Sequence, residues 1–173
     1  TSKQLLPVYD KPMIYYPLSV LMYAGIKDIL IISSVKDLPR FKDLLKDGRE
    51  IGLNISYEAQ NTPKGIAESF IIGSKFIGND NVCLILGDNI FHGIDLVSYL
   101  KMAKKNLDKN YSTIFGVQVD NSNDFGVVEF DLNQKIKRII EKPNQTESKT
   151  VVSGMYYYTN DVVNIAKNLK PSS

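Results

Sequence analysis

Two runs of successive apolar residues, Ile29-Leu30-Ile31-Ile32 and Val82-Cys83-Leu84-Ile85-Leu86, constrain this chain more than any other feature. Neither run alternates, so each reads as a strand with both faces covered. Strands of that kind need helices above and below them, and the chain supplies segments with helical spacing around both runs. These are Pro17 to Ala24, Asp37 to Leu45, Ile66 to Phe76 and Leu96 to Leu107. Pro17 suits a first helical position, and Gly25 suits the left-handed residue that ends a helix. Leu53 to Glu58 reads as a further strand of alternating character.

After Tyr111 the pattern changes. Thr113 to Val119, Val127 to Phe130, Ile136 to Glu141 and Thr150 to Tyr158 are strand candidates joined by short turns, with Asp131-Leu132-Asn133-Gln134 as a hairpin connection. Asn160 is placed to cap a last helix from Asp161 to Asn168. The chain is therefore expected to be α/β, with βαβ units first, antiparallel strands later, and a mixed sheet. One feature is out of pattern: the chain opens at Thr1-Ser2-Lys3-Gln4 with no strand before its first helix, and it has no glycine-rich phosphate loop. Nucleotide-binding α/β domains normally begin with both. Either the sequence is a fragment or it does not bind a nucleotide in that way. If a first strand is missing, a buried slot in the sheet has to be filled, because unpaired buried backbone is rarely tolerated.

Composition excludes several classes. At 173 residues the chain is the size of one domain, and 43% hydrophobic with 23% charged residues is ordinary for a globular protein. A net charge of +2 gives no electrostatic reason to expect nucleic acid or an anionic membrane as partner. One Cys and one His leave almost no ligands for a tetrahedral zinc site, and Cys83 cannot form an internal disulfide. There is no apolar stretch long enough to span a bilayer and no leader-like N-terminus, so a cytoplasmic protein is expected. A Rossmann-type dehydrogenase would need a G-x-G-x-x-G after a strand, and none is present.

The best local candidate for chemistry is Leu84-Ile85-Leu86-Gly87-Asp88-Asn89, where a buried strand ends in a carboxylate at the sheet edge on which open α/β sheets bind ligands. Asp88 could hold Mg²⁺, which takes one or two carboxylates plus substrate phosphates, or Gly-Asp-Asn could simply form a turn. At Ile139-Ile140-Glu141-Lys142-Pro143 a strand ends in adjacent opposite charges. Alternation would point Glu141 and Lys142 to opposite faces unless the chain bends there; the plain alternative is a solvated edge. Gln60 and Pro63-Lys64-Gly65 form a loop leading into a helix, where free N–H groups can meet a ligand. Gly126 and Gly154 each stand beside a strand and allow close backbone approach or a bulge. Lys3 taken singly reads as surface, and His92 as a loop residue without a metal-binding partner.

Taken in order, these segments resemble one family. Ser2-Lys3-Gln4-Leu5-Leu6-Pro7-Val8-Tyr9-Asp10-Lys11-Pro12-Met13-Ile14-Tyr15-Tyr16-Pro17-Leu18 is similar to the stretch that follows the glycine-rich loop in bacterial glucose-1-phosphate thymidylyltransferases, members of the sugar-1-phosphate nucleotidyltransferases. The likeness continues through Leu86-Gly87-Asp88-Asn89-Ile90-Phe91, Gly126-Val127-Val128-Glu129-Phe130, Glu141-Lys142-Pro143 and Asn160-Asp161-Val162-Val163. The resemblance implies a Rossmann-like mixed sheet flanked by helices, of the nucleotide-diphospho-sugar transferase type. Residues 1–173 would form a single, incomplete catalytic domain lacking the first strand and the C-terminal part. It implies Mg²⁺-dependent transfer of a thymidylyl group from dTTP to glucose 1-phosphate. On the family's pattern the catalytic residues would be Lys3, Asp88 and Lys142. Lys3, Gln60, Gly65 and Asp88 would bind the nucleotide, Asp88 the metal, and Gly126, Glu141, Lys142 and Val152 the sugar phosphate. The family is usually a homotetramer, so the full-length protein is expected to be a homo-oligomer. Phe125 stands where many relatives carry Tyr. Two alternatives remain: a truncated chain that binds nucleotide or sugar without transferring anything, and a uridylyltransferase that uses UTP. The 173 residues alone are expected to turn over little.

Overall fold

A computed structural model of the chain describes residues 2–169. A 3-10 turn at Lys3–Leu5 leads into a small antiparallel ribbon of β1 (Pro7–Val8) and β2 (Lys11–Pro12). Helix α1 (Tyr15–Tyr23) follows and ends at Gly25, whose φ of 74° is the left-handed geometry expected there. The helix starts two residues earlier than Pro17 suggested. A proline three residues into a helix still lies in the first turn, where no backbone N–H has an intrahelical partner to lose. A βαβ unit comes next, with β3 (Asp28–Ser34), α2 (Leu38–Leu45) and β4 (Asn54–Gln60). β3 and β4 pair in parallel, from Asp28 opposite Asn54 to Ser34 opposite Gln60.

The helical pattern from Ile66 to Phe76 is interrupted. It forms α3 (Glu68–Ile72) and α4 (Ser74–Ile77), which meet at Gly73. A Cβ on Gly73 would lie 3.0 Å from Ser69 O and 3.2 Å from Leu30 Cδ2, so the break brings the backbone close against β3. Then come β5 (Val82–Ile85), α5 (Leu96–Asp108), β6 (Thr113–Gln118), β7 (Gly126–Phe130), β8 (Ile136–Glu141), β9 (Thr150–Tyr158) and α6 (Val162–Asn168). Asn160 does not cap α6. Its amide donates to Gly78 O at 3.0 Å and Asp80 O at 2.8 Å, tying the start of α6 to the end of α4, while Asp161 occupies the cap position. The β7–β8 connection is a hairpin held by Asp131 Oδ1, which accepts from the N–H groups of Asn133 and Lys135.

β9 organises the second half of the chain. It pairs antiparallel with β5, with β6, and at Val127–Val151 with β7, whose other edge carries β8. The strands are thus mixed, as anticipated, but they form a parallel pair and a five-stranded antiparallel sheet. A cavity of about 450 Å³ lies between them, lined on one side by Ile29 and Leu30 and on the other by Cys83 and Leu84. This cavity corrects one expectation: β5 is half-buried along its whole length, not strongly buried, because its edge away from β9 faces open space.

Helix α1 is apolar on both faces because it is sandwiched. Leu18 and Leu21 pack with Ile29, Ile31, Phe41 and Ile55 of the parallel unit, while Val20 packs with Leu100, Ala103, Met155 and Tyr157 of α5 and β9. A third cluster, Phe70, Ile77, Val163 and Ala166, joins α3 and α4 to α6. No helix among the described residues is long and apolar enough to cross a membrane.

Candidate active site

Immediately after β5 the chain turns, with Asn89 N–H donating to Leu86 O at 3.1 Å. Gly-Asp-Asn is therefore a turn, and its carboxylate is also the centre of a polar cluster. Asp88 Oδ2 lies 2.5 Å from Lys3 Nζ, and Asp88 Oδ1 accepts from Asn89 Nδ2 at 3.1 Å. Asn89 Oδ1 in turn accepts from Gly154 N–H of β9 at 3.2 Å, which orients the amide so that its NH₂ faces Asp88. Two glycines make this possible. A Cβ on Gly87 would stand 3.1 Å from Gln4 Cγ, so Gly87 lets the N-terminal turn approach. A Cβ on Gly154 would stand 2.7 Å from Asn89 Cγ, so only glycine leaves room for that side chain. Partial burial works against the charge on Asp88, but the Lys3 ammonium and the Asn89 amide outweigh it and hold the carboxyl below its usual range.

A second cluster sits where β7 and β8 come together. Gly126 is paired with Glu141, and a Cβ on Gly126 would lie 3.3 Å from Glu141 Oε2 and 3.9 Å from Val152 Cγ2. Val152 stands beside Gly126 and Glu141, and Gly154, two residues on in β9, stands beside Asn89, so β9 links the Glu141 and Asp88 clusters. The Tyr156 phenol is pushed up by burial and by the nearby Glu141 carboxylate. The apparent conflict between Glu141 and Lys142 is resolved by the backbone: Lys142 leaves the strand with a φ of 42°, and its N–H donates to Phe125 O at 3.0 Å. Alternation therefore no longer applies at Lys142. Its ammonium is exposed and forms no ion pair among the described residues, so contacts join Lys142 to Phe125 and not to Asp88.

A third group stands at the carboxyl end of β4. Gln60 Nε2 donates to Glu68 Oε2 at 2.6 Å, and the same oxygen accepts the N–H of Lys64 at 3.1 Å. Gly65 follows with a φ of 90° and is exposed. A cavity of about 310 Å³, lined by Gln4, Ser34, Gln60, Pro63 and Gly87 among others, connects Gln60 to the turn that carries Asp88. The tertiary structure thus brings Lys3 to Asp88, sets Gln60 and Gly87 on one cavity, and gathers Gly126, Glu141 and Val152 where β7, β8 and β9 meet. His92 is exposed in a loop, as expected. Asn89 and Glu68 contribute without a signal of their own: Asn89 stands inside the Gly-Asp-Asn segment, and nothing in the sequence marks Glu68 beyond its place three residues after Gly65. No group of three or more His, Cys, Asp or Glu side chains suited to a metal occurs among the described residues.

The model of the family described as nucleotidyl transferase matches residues 1–173. The chain belongs to the nucleotidyl transferase family. Within it, this nucleotidyl transferase chain is 55% identical over 172 residues to the glucose-1-phosphate thymidylyltransferase of Neisseria meningitidis, covering 99% of the chain and 59% of that relative. It is 49% identical over 172 residues to the enzyme of the same name from Mycolicibacterium smegmatis, with the same coverage. The chain therefore spans about 59% of the length of these curated relatives. Among solved structures, a Bacillus anthracis protein assigned to the glucose-1-phosphate thymidylyltransferases, in complex with sucrose, superposes with a TM-score of 0.90 at 36% identity, covering 99% of this chain and 68% of that one. A UDP-glucose pyrophosphorylase in complex with UDP-glucose superposes with a TM-score of 0.79 at 26% identity, covering 98% and 72%. These neighbours match the expected nucleotide-diphospho-sugar transferase type of fold.

Proposed function

We propose that the full-length protein is a glucose-1-phosphate thymidylyltransferase, which transfers a thymidylyl group from dTTP to glucose 1-phosphate and releases pyrophosphate. The observation that carries this reading is the meeting of Lys3 and Asp88 just after β5, in a turn whose Gly87 lines one cavity with Gln60. The names of the relatives support the choice of substrates.

In the reaction an oxygen of the sugar phosphate attacks the α-phosphorus of the nucleotide. A new P–O bond forms as the bond to the bridging oxygen breaks, and the electron pair leaves with pyrophosphate. The attacking oxygen is already ionised at neutral pH, so no side chain need accept a proton. Alignment and neutralisation of charge make up the catalysis. Mg²⁺, when bound, supplies charge neutralisation on the reacting phosphates. Asp88 fits as its protein ligand: the Lys3 ammonium already lies against Oδ2, so the carboxylate is placed to meet a cation. Mg²⁺ takes one or two carboxylates together with substrate phosphates, so Asp88 suits an ion that arrives with the nucleotide. Lys3, freed from Asp88, would hold nucleotide phosphate. Lys142, turned out of the strand, would hold the sugar phosphate. Glu141 would accept hydrogen bonds from glucose hydroxyls, with Gly126 and Val152 lining that pocket. Gln60 and the Gly65 N–H would read the thymine edge.

We read residues 1–173 as part of one catalytic domain of a cytoplasmic homo-oligomer, which sedimentation of the full-length protein tests. Uracil presents the same N3–H and O4 edge to Gln60 as thymine does, so a UTP-using uridylyltransferase is the second reading. One assay decides between them: pyrophosphate release by the full-length protein with glucose 1-phosphate and each nucleoside triphosphate in turn, with and without Mg²⁺. Turnover fastest with dTTP and dependent on Mg²⁺ is expected. No release with any triphosphate would overturn the enzyme reading in favour of a non-catalytic binder.

A further inference from the structure

Gln60 and the Lys64–Gly65 loop, the two parts of the chain given the base-reading role above, are tied to a single atom. Glu68 Oε2 accepts from Gln60 Nε2 at 2.6 Å and from the Lys64 N–H at 3.1 Å. An ionised carboxylate can only accept hydrogen bonds, so the end of Gln60 that faces it must be the NH₂. Which way a glutamine amide points is ordinarily open, because its oxygen and nitrogen are nearly isosteric. Here the chemistry of the partner decides it. We propose that Glu68 is a specificity-determining positioning residue: by fixing the amide of Gln60 in one orientation it selects bases with an N3–H donor beside a carbonyl and rejects cytosine. This inference rests on the base-reading role of Gln60 in the proposed function.

The selection follows from counting donors and acceptors. The Gln60 NH₂ carries two hydrogens, of which Glu68 takes one. The other hydrogen and Oε1 remain, a donor beside an acceptor. Thymine and uracil present the complementary pair, with O4 accepting and N3–H donating. Cytosine presents the reverse, with N3 accepting and the N4 amino group donating, so it would require the amide to turn over. That would set Oε1 against the Glu68 carboxylate, two acceptors facing each other with no proton between them. A site built around a fixed hydrogen-bonding pattern rejects the wrong partner strongly, because a buried polar group is then left unpaired. Glu68 stands in the first turn of α3, directly after the loop, so the same side chain also holds the Gly65 N–H in place relative to Gln60.

The test compares binding of dUTP and dCTP, which differ only at that edge, by calorimetry on the full-length protein without sugar phosphate. In wild type dUTP should bind more tightly. Glu68→Gln can donate as well as accept, so Gln60 becomes free to turn and the dUTP-to-dCTP preference should fall by about tenfold or more. Glu68→Ala should move the ratio in the same direction, and serves should the first variant not fold. Gln60→Ala separates the two levels of the reading. If Gln60→Ala collapses the preference and neither Glu68 variant changes it, the role of Glu68 is overturned while the base-reading role of Gln60 stands. If Gln60→Ala leaves the preference intact, the base is not read there and both fail.

Discussion

Lys3 Nζ lies 2.5 Å from Asp88 Oδ2, which joins the first turn of the chain to the far end of β5. On the proposed function, these are the two charges that meet the metal and the nucleotide phosphates. Asp88→Asn keeps the size of the side chain and removes the charge that would hold the metal. It is expected to lower pyrophosphate release at saturating substrates by about 100-fold or more. Lys3→Met should lower it less and should raise the KM for dTTP, since Lys3 is assigned to the nucleotide. Steady-state kinetics on the full-length variants checks both.

The same pair sets a pH dependence. Despite the opposing effect of burial, Lys3 and Asn89 keep the Asp88 carboxyl below its usual value. The folded protein thus holds that proton more weakly than the unfolded chain. The stabilisation is present above the ordinary carboxylate pKa of about 3.9 and is lost as pH falls through the lower folded value. Lys3 is 64% exposed, so solvent screening limits the effect to about 1 kcal/mol or less. Thermal melts of wild type and Asp88→Asn should differ most near neutral pH and converge as pH falls below the ordinary carboxylate range.

Gly154 is expected to be intolerant of even one methyl group. Its Cβ would lie 2.7 Å from Asn89 Cγ, so Gly154→Ala must push Asn89 away from the Gly154 N–H and from Asp88. A loss of about 1–3 kcal/mol of stability is expected. In an Asn89→Ala background there is nothing to displace, so adding Gly154→Ala should cost little more. Additive losses in that double-mutant cycle would show that Gly154 acts through the strand alone.

Gly126 faces Glu141 as Gly154 faces Asn89, but less tightly, with 3.3 Å from the added Cβ to Oε2. Gly126→Ala should displace the carboxylate by a few tenths of an ångström. Because Glu141 is assigned to the glucose hydroxyls, the KM for glucose 1-phosphate should rise several-fold, by roughly 1 kcal/mol of lost binding, while the KM for dTTP stays unchanged. A rise confined to dTTP would remove Glu141 from the sugar pocket.

Leu100 is 1% exposed and packs α5 against Met155 and Tyr157 of β9. Leu100→Ala should cost about 2–5 kcal/mol of stability, read by denaturant or thermal unfolding. Sugar-phosphate and nucleotide KM values measured well below the melting temperature should change little, because Leu100 lies in the core and touches neither cluster.

Much of the fold was legible because strands and helices declare themselves through local periodicity. The βαβ unit around Ile29–Ile32, the β7–β8 hairpin at Asp131–Gln134 and the Gly25 helix end all stand where the residue pattern put them. The misreadings arose where a distant contact overrode a local preference. Gly73 breaks one helical pattern into two because the backbone must approach Leu30, and Asn160 gives up a cap to hold the turn at Gly78–Asp80. β5 reads as fully buried in sequence, yet its edge away from β9 faces the cavity.

The candidate site divides in the same way. The sequence by itself marked Asp88 at the end of a buried strand, in a segment that could turn, and drew attention to Gln60, Glu141 and Lys142, while the resemblance added Lys3. Only the tertiary structure decided that Asn89 meets Gly154, that Glu68 meets Gln60, and that Lys142 leaves its strand at a φ of 42° so that adjacent opposite charges need not face opposite ways. The physical reason is one of range. Hydrophobic periodicity and turn chemistry act over a few residues and can be read along the chain. Hydrogen bonds and steric exclusion between parts remote in sequence depend on how the packed sheets and helices bring those parts together.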